Sequence, residues 1–237
     1  MEFQKTGIAT LDRMIGGIPR GSRNIVIGPP GTGKTVFAMH FLWEGLQAGE
    51  VVACDVFDRP WPHMRNYFAR FGWDVAPYEA NRKLIAVQSF PHFEPFPKDA
   101  QVRYFHLDDF AAMQAIDMEL TAAGCSRFVF VDGYSHLFRT LSDAQWHEIE
   151  NWTINWSYYS RMTNLDVVNE FPSSEEQVQR LMDYTLFTAH NIFRFRLREH
   201  DGRCVREMRI EKMEGVAHPL DWMRLEITSH GIELTAP

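Results

Sequence analysis

Residues 24–35 read Asn-Ile-Val-Ile-Gly-Pro-Pro-Gly-Thr-Gly-Lys-Thr, and this stretch decides the fold. Residues 24–27 are a short β-branched run that ends at a glycine, which is typical of a buried strand. Downstream, apolar residues recur at helical spacing and predict a helix over residues 35–48. The residues between them therefore form a glycine-rich loop that joins a strand to a helix.

This loop matches the phosphate-binding Walker A pattern G-x-x-x-x-G-K-S/T in full, in the strand–loop–helix context that the pattern requires. Glycines let the backbone turn successive N–H groups toward an anion, and the helix N-terminus adds a positive dipole. We expect Lys34 to contact the β- and γ-phosphates of ATP and the Thr35 hydroxyl to coordinate Mg²⁺. The predicted phosphate-binding residues are Gly28, Pro29, Pro30, Gly31, Thr32, Gly33, Lys34 and Thr35.

A second magnesium ligand is predicted at Asp132, which directly follows the apolar run at residues 127–131. Such a carboxylate lies at the carboxyl edge of the sheet, where open α/β sheets bind their ligands. An aspartate at the end of a strand also caps many ordinary turns. The P-loop upstream favours the magnesium interpretation.

The rest of the chain alternates strands with helices and then becomes β-rich. Further strands are predicted at residues 51–57, 83–87, 127–131 and 165–168, and helices at 61–71, 107–123, 143–161 and from a capping box at 173–176 to about 182. After residue 183, apolar residues alternate with arginine over 193–198, which predicts a strand. The Asp201-Gly202 dipeptide predicts a tight turn, and a return strand is predicted over 205–213. A last hairpin is predicted near residues 230–231. We therefore predict one α/β domain over residues 1–237, with a mainly parallel sheet flanked by helices and a C-terminal antiparallel β extension.

Composition limits the possible partners. The net charge of −7 argues against nucleic acid as the main partner, since phosphate neutralisation needs a clustered basic surface. The three cysteines are widely separated, which indicates reduced thiols in a cytoplasmic protein. No apolar run approaches the ~18 residues of a membrane span, and the ten histidines show no ligand spacing, so Mg²⁺ is the only metal we expect.

Several stretches of the chain match one family. They are residues 6–12 (TGIATLD), 16–22 (GGIPRGS), 57–60 (FDRP), 71–74 (FGWD), 212–215 (KMEG) and 224–228 (RLEIT). With these stretches the chain resembles KaiC-type ATPases of the RecA superfamily. The likeness spans nearly the whole chain and is loosest between residues 89 and 190.

The resemblance implies a RecA-like P-loop core, ATP hydrolysis and a ring-shaped, often hexameric, homo-oligomer with nucleotide at the subunit interfaces. We expect such a protein to couple its nucleotide state to a protein partner. Two further functions stay open. One is a nucleotide-binding switch or adaptor with little or no hydrolysis, and the other is a RecA-type DNA-binding repair protein.

Two departures from the family pattern favour slow hydrolysis. The family has paired glutamates after the second strand, one of which orients the attacking water, whereas this chain has Asp58 and Arg59. Asp58 is the expected base, one methylene shorter than glutamate, and Arg59 is expected either to pair with Asp58 or to reach a phosphate. Lys212 matches the lysine of a Lys-x-Arg pair that reaches the γ-phosphate of the neighbouring subunit, but Glu214 replaces the arginine.

Four other features have two interpretations each. Asn169-Glu170 either senses the γ-phosphate or simply ends a strand. The arginines between residues 194 and 209 either pair with Glu207 and Glu211 on a solvated hairpin, which we favour, or contact nucleic acid or, at a subunit interface, a neighbour's nucleotide. The Phe/Pro-rich residues 90–97 and the aromatic helix over 143–161 either pack against the protein itself or form a docking surface.

Overall fold

The computed structural model describes residues 2–57, 59–90, 98–170 and 175–235. Its helices are α1 (Ala9–Ile15), α2 (Lys34–Gln47), α3 (Trp61–Arg70), α4 (Ala76–Ala80), α5 (Phe110–Ala122), α6 (Tyr134–Thr140), α7 (Asp143–Ser160) and α8 (Glu176–Thr188). Its strands are β1 (Phe3–Gln4), β2 (Ile18–Pro19), β3 (Arg23–Gly28), β4 (Val51–Val56), β5 (Leu84–Phe90), β6 (Val102–His106), β7 (Cys125–Val131), β8 (Thr163–Asn169), β9 (Asn191–His200), β10 (Arg203–Met213), β11 (Met223–Thr228) and β12 (Gly231–Thr235).

Ten strands form one sheet in the order β12-β11-β10-β9-β3-β8-β7-β4-β5-β6. The neighbours from β9 to β6 are parallel, whereas β10, β11 and β12 continue the sheet in antiparallel fashion. A separate antiparallel pair, β1 and β2, lies near the N-terminus. The predicted fold class, a mainly parallel sheet flanked by helices with a C-terminal antiparallel extension, is confirmed.

Helices cover both faces of the sheet because alternate residues of each strand are buried on opposite sides. In β3, Val26 packs with Phe37 and Phe41 of α2 on one face. Ile25 and Ile27 pack on the other face, in the apolar cluster formed with α6, α7 and α8. The loop after β3 is thereby mounted on a strand that is buried from both sides.

Among the described residues, six short elements were not predicted, namely β1, α1, β2, α4, β6 and α6. The helix predicted over residues 107–123 begins at Phe110, because β6 occupies the residues up to His106 and the Asp109 side chain accepts a hydrogen bond from the Ala112 N–H at 2.9 Å. The helix predicted to end near residue 182 continues to Thr188. Its last turn is stabilised because the Thr188 hydroxyl donates a hydrogen bond to the buried Glu150 carboxylate at 2.7 Å.

The start of α8 also differs from its prediction. Glu175 precedes the helix without a side-chain capping bond, and Ser173 and Ser174 of the predicted capping box lie outside the described residues. Of the Phe/Pro-rich segment, Phe90 is a buried residue of β5, while 91–97 lie outside the described residues.

The aromatic helix α7 is divided between core and surface. Trp146 and Trp156 are buried, as expected for packing against the protein itself. Tyr158 and Tyr159, at its end, are 70% and 80% exposed. Among the described helices, none is both long and apolar enough to cross a membrane.

A fully buried ion cluster ties α6, α7 and α8 to the sheet. The Arg23 guanidinium, on β3, forms a two-pronged ion pair with the Glu150 carboxylate, one N–H donating to Oε1 at 2.7 Å. Arg23 Nε lies 3.3 Å from Oδ2 of Asp166, and the Tyr134 hydroxyl donates to the same oxygen at 2.6 Å. Each charge in this cluster has an opposite charge and hydrogen bonds around it, which burial requires.

Two further carboxyl groups line an internal cavity of about 60 Å³ between the sheet, α5 and α7. Asp55 accepts hydrogen bonds from the Ser89 N–H and hydroxyl at 2.9 and 3.0 Å, and Asp117 accepts one from the Trp152 indole at 2.7 Å. Burial raises the pKa of Asp55 to about 7 against these hydrogen bonds. Burial also raises the pKa of Asp117 to about 7, with a smaller contribution from the Asp55 charge.

Candidate functional site

A cleft of about 490 Å³ lies at the carboxyl ends of the central strands, where open α/β sheets bind their ligands. The phosphate-binding loop runs along it between β3 and α2, and side chains that follow β4, β7 and β8 complete its wall. The lining residues are Pro30, Gly31, Gly33, Lys34, Thr35, Val36, Arg59, Tyr67, Asp132, Asn169 and Ile227. The structure therefore brings the Walker loop and Asp132 to one cleft.

Two of the loop glycines are required by their surroundings. A Cβ on Gly28 would lie 2.3 Å from the carbonyl oxygen of Phe195 on the neighbouring strand β9. Gly33 has a φ of +105°, in the region that side chains disfavour, and a Cβ there would lie 3.2 Å from Ile227 Cδ1. Thr32 closes the loop by donating its hydroxyl hydrogen to the Pro29 carbonyl at 2.8 Å.

Lys34 points back over the loop that precedes it. Its ammonium donates to the Pro29 carbonyl at 2.9 Å, and only 4% of the residue is exposed. Burial lowers the pKa of Lys34 to about 8, and the negative charges of Asp132 and Glu170 oppose that shift. The Lys34 ammonium therefore lies beside the backbone of the Walker loop, where a phosphate would bind.

Two of the described residues donate hydrogen bonds to the Asp132 carboxylate. Asn169 Nδ2 donates to one oxygen at 2.7 Å, and Arg59 Nη2 donates to the other at 3.0 Å. The backbone of Asp132 has a φ of +65°, a left-handed conformation that aspartate tolerates better than most residues. Thr35 lines the same cleft, so the two residues that would hold a P-loop magnesium lie together, and they fit Mg²⁺ once the ion displaces a described donor from Asp132.

The pairing of Arg59 with Asp132 was not predicted from the sequence, from which Arg59 is expected to pair with Asp58 or to reach a phosphate. The pairing follows from strand order, because β4 lies next to β7 and the residues after both strands meet at one sheet edge. The Arg59 guanidinium also lies 5.7 Å from the centre of the Tyr67 ring. Asp58, the expected base, lies outside the described residues.

The two residues at the end of β8 have different surroundings. Asn169 contacts Asp132 inside the cleft, where a sensor of the γ-phosphate would lie. Glu170 instead faces the hairpin, since its N–H donates to the Gly28 carbonyl at 3.0 Å and its carboxylate accepts from Arg194 at 2.7 Å. Only Asn169 is therefore placed to meet a ligand directly.

Lys212 lies at the opposite end of the sheet from the cleft of its own chain. Lys212, on β10, is opposite Ile192 on β9. The residue before Ile192, Asn191, is opposite Asn24 at the start of β3, whereas the Walker loop follows the end of β3. The Lys212 ammonium donates to the Phe187 and Ala189 carbonyls and lies 3.0 Å from a Glu214 carboxylate oxygen. The structure does not bring Lys212 to the Walker loop of the same chain.

The arginine hairpin is held largely by its own acidic residues. Arg194 and Arg209 pair with Glu211, and Arg196 pairs with Glu207, as the favoured interpretation predicted, so that prediction is confirmed. Arg196 and Arg209 also lie 3.7 and 4.8 Å from the ring centre of Trp222.

One further arginine of the hairpin reaches the phosphate-binding loop. Arg206 Nε donates to the Gly31 carbonyl at 2.9 Å. Gly31 lines the cleft, so the antiparallel extension contacts the loop directly.

Comparisons with known proteins agree with this architecture. A family model described as the KaiC ATPase matches residues 4–237. Several UPF0273 proteins are similar over almost their whole length. The one from Thermotoga maritima is 26% identical and is aligned over 96% of this chain and 93% of its own, and the one from Aeropyrum pernix is 30% identical over 96% and 91%.

Two further relatives carry the KaiC name. The circadian clock protein KaiC3 of Synechocystis is 31% identical over 145 residues, which is 61% of this chain and 28% of the clock protein. A crystal structure of a KaiC-like protein from Pyrococcus horikoshii superposes with a TM-score of 0.77 and 21% identity, over 99% of both chains, and so shares the fold. With a family model matched over nearly all of its residues and a Walker loop in the expected place, the chain belongs to the KaiC family of ATPases.

Proposed function

We propose that the cleft binds MgATP and that the protein is a slowly hydrolysing regulatory ATPase, which oligomerises and couples its nucleotide state to a protein partner. One observation carries the proposal. A complete Walker A loop faces the same cleft as Asp132. The residues proposed to bind the phosphates are Gly28 to Thr35, with Thr35 and Asp132 holding the magnesium.

Each residue has a distinct task in this proposal. The loop N–H groups and the start of α2 hold the phosphate oxygens, and Lys34 neutralises charge between the β- and γ-phosphates. Magnesium, when bound, neutralises the charge that develops on the same oxygens. Asp58 is the proposed base that orients the attacking water, and hydrolysis is slow because its carboxylate is shorter than that of glutamate.

The oligomer part of the proposal rests on Lys212. Because Lys212 lies at the sheet end away from its own Walker loop, it can reach a γ-phosphate only in another copy of the chain. Copies would then associate head to tail, in a ring if the rotation closes. The Glu214 carboxylate, 3.0 Å from the Lys212 ammonium, weakens the attraction between that ammonium and a phosphate. Slow hydrolysis is again favoured.

The second candidate function is a nucleotide-binding switch with little or no hydrolysis. The Arg59–Asp132 ion pair favours it, since the magnesium carboxylate already has a cation beside it. The two functions share the binding site and differ in turnover. We therefore test binding and turnover in the same variants.

Lys34→Ala is expected to weaken ATP binding tenfold or more. The change removes a charged contact to the phosphates, worth about 1.5–3 kcal/mol, and tenfold in affinity corresponds to about 1.4 kcal/mol. Isothermal titration calorimetry with a slowly hydrolysed ATP analogue measures the affinity, and phosphate release measures turnover. Lys83→Ala is the matched control, because the Lys83 ammonium also donates to a backbone carbonyl, that of Gly49 at 2.9 Å, but away from the cleft.

Each outcome separates the candidates. Turnover by the unmodified protein above that of Lys34→Ala supports the ATPase. Turnover equal to that of Lys34→Ala, with ATP still bound by the unmodified protein, rejects hydrolysis and leaves the switch. If the unmodified protein binds no nucleotide, both functions are wrong.

A further inference from the structure

We propose that Arg59 is an internal cation at the magnesium carboxylate, so that this site binds a nucleoside triphosphate with little dependence on a divalent metal. The inference rests on the proposed function, because it concerns the same cleft. It goes further by naming which charge stands beside Asp132 and what that charge does to the metal requirement.

The position of Arg59 is fixed from two directions. Its Nη2 lies 3.0 Å from Oδ2 of Asp132, and the two side chains are only 20% and 9% exposed, so water and salt screen the pair weakly. The Tyr67 ring, which also lines the cleft, supports the guanidinium at 5.7 Å. The Arg59 guanidinium is therefore held in the wall of the cleft.

This pairing opposes magnesium at Asp132. Mg²⁺ is held through carboxylate oxygens or their bound waters, but Oδ2 accepts from Arg59 and Oδ1 accepts from Asn169 at 2.7 Å. A divalent ion that approaches this carboxylate must displace one of these donors or lie close to the guanidinium charge. Both alternatives cost free energy, since like charges repel strongly at a partly buried site.

The same arrangement supplies the triphosphate with positive charge that needs no metal. Lys34 and Arg59 both line the cleft, one from the Walker loop and one from the segment after β4. A guanidinium can bridge a carboxylate and a phosphate because it carries five donors in a planar fork. Lys34 and the Arg59 guanidinium, whose charge Asp132 partly offsets, therefore face the polyanion in the absence of Mg²⁺.

The test compares nucleotide affinity with and without metal. We would titrate each variant with a fluorescent methylanthraniloyl-ATP, once in excess Mg²⁺ and once in EDTA, and take the ratio of the two dissociation constants. For the unmodified protein we expect a ratio below about 10, and for Arg59→Gln a ratio at least tenfold larger, mainly through weaker binding in EDTA. Tenfold corresponds to about 1.4 kcal/mol.

Two variants control the interpretation. Arg70→Gln removes another arginine that lies 5.8 Å from the same Tyr67 ring but does not line the cleft, and it should keep the ratio of the unmodified protein. Arg59→Lys keeps the charge and should stay within about threefold of that ratio. Circular dichroism confirms that every variant is folded.

The results distinguish this inference from the proposed function. An equal ratio in Arg59→Gln and the unmodified protein, or a ratio in Arg59→Lys as large as that in Arg59→Gln, overturns the role of the Arg59 charge while nucleotide binding stands. No binding by the unmodified protein in either buffer instead contradicts the proposed function itself.

Discussion

Glu150→Ala is expected to lower the free energy of unfolding by about 3–5 kcal/mol, the usual cost of leaving one member of a buried ion pair behind. Arg23 has no exposed surface, and Glu150 is its two-pronged partner. Without Glu150 the guanidinium keeps one described carboxylate partner, Asp166 at 3.3 Å, and its hydrogen bonds to the Tyr134 and Thr188 hydroxyls. Urea denaturation at pH 7, followed by circular dichroism, measures the loss.

Glu148→Ala is the control for this prediction, because it removes an exposed glutamate from the same helix, α7. Its effect should stay within about 0.5 kcal/mol, as is usual for surface substitutions. A loss below 1 kcal/mol for Glu150→Ala would mean that Asp166 and the neighbouring hydroxyls compensate the buried Arg23 charge without Glu150.

Asp55→Asn is expected to become steadily more stable than the unmodified protein as the pH rises from about 4 to about 7. Burial holds the folded-state pKa of Asp55 at about 7, whereas an aspartate in an unfolded chain titrates near 4. The stability that the protonated carboxyl contributes is complete below pH 4 and is lost as the pH rises through 7. A shift of about 3 units corresponds to a change on the order of 4 kcal/mol, and asparagine does not titrate.

Urea denaturation at several pH values between 4 and 8 tests this dependence. The asparagine oxygen can still accept the two hydrogen bonds from Ser89, so the site keeps its shape. Asp221→Asn, at an exposed position, is the control, and its effect on the free energy of unfolding at pH 7 should stay within about 0.5 kcal/mol. A flat difference for Asp55→Asn would show that Asp55 titrates normally in the folded protein.

The Walker loop and the sheet could be predicted from sequence because their signals are local. Residues 28–35 carry the whole phosphate-binding pattern, and the strands before and after it are apolar runs of ordinary length. The Asp201-Gly202 turn likewise placed the β9–β10 hairpin. In each case, neighbouring residues alone determine the conformation.

The partners of charged side chains could not be predicted, because they depend on which strands are neighbours. Arg59 meets Asp132 across 73 positions of sequence, and Arg23 meets Glu150 across 127. Short elements such as α6 and β6 were missed for a related reason. Tertiary packing stabilises them, and their sequences carry little periodicity.

The position of β3 within the sheet has a mechanical consequence. β3 is hydrogen-bonded to β8 on one side and β9 on the other, so the strand that carries the phosphate-binding loop has no open edge. Moving it would shear two ladders at once, and its amide hydrogens should be among the slowest to exchange with deuterated solvent. If nucleotide binding changes the structure, we therefore expect side chains such as Arg59 and Arg206 to move while β3 keeps its position.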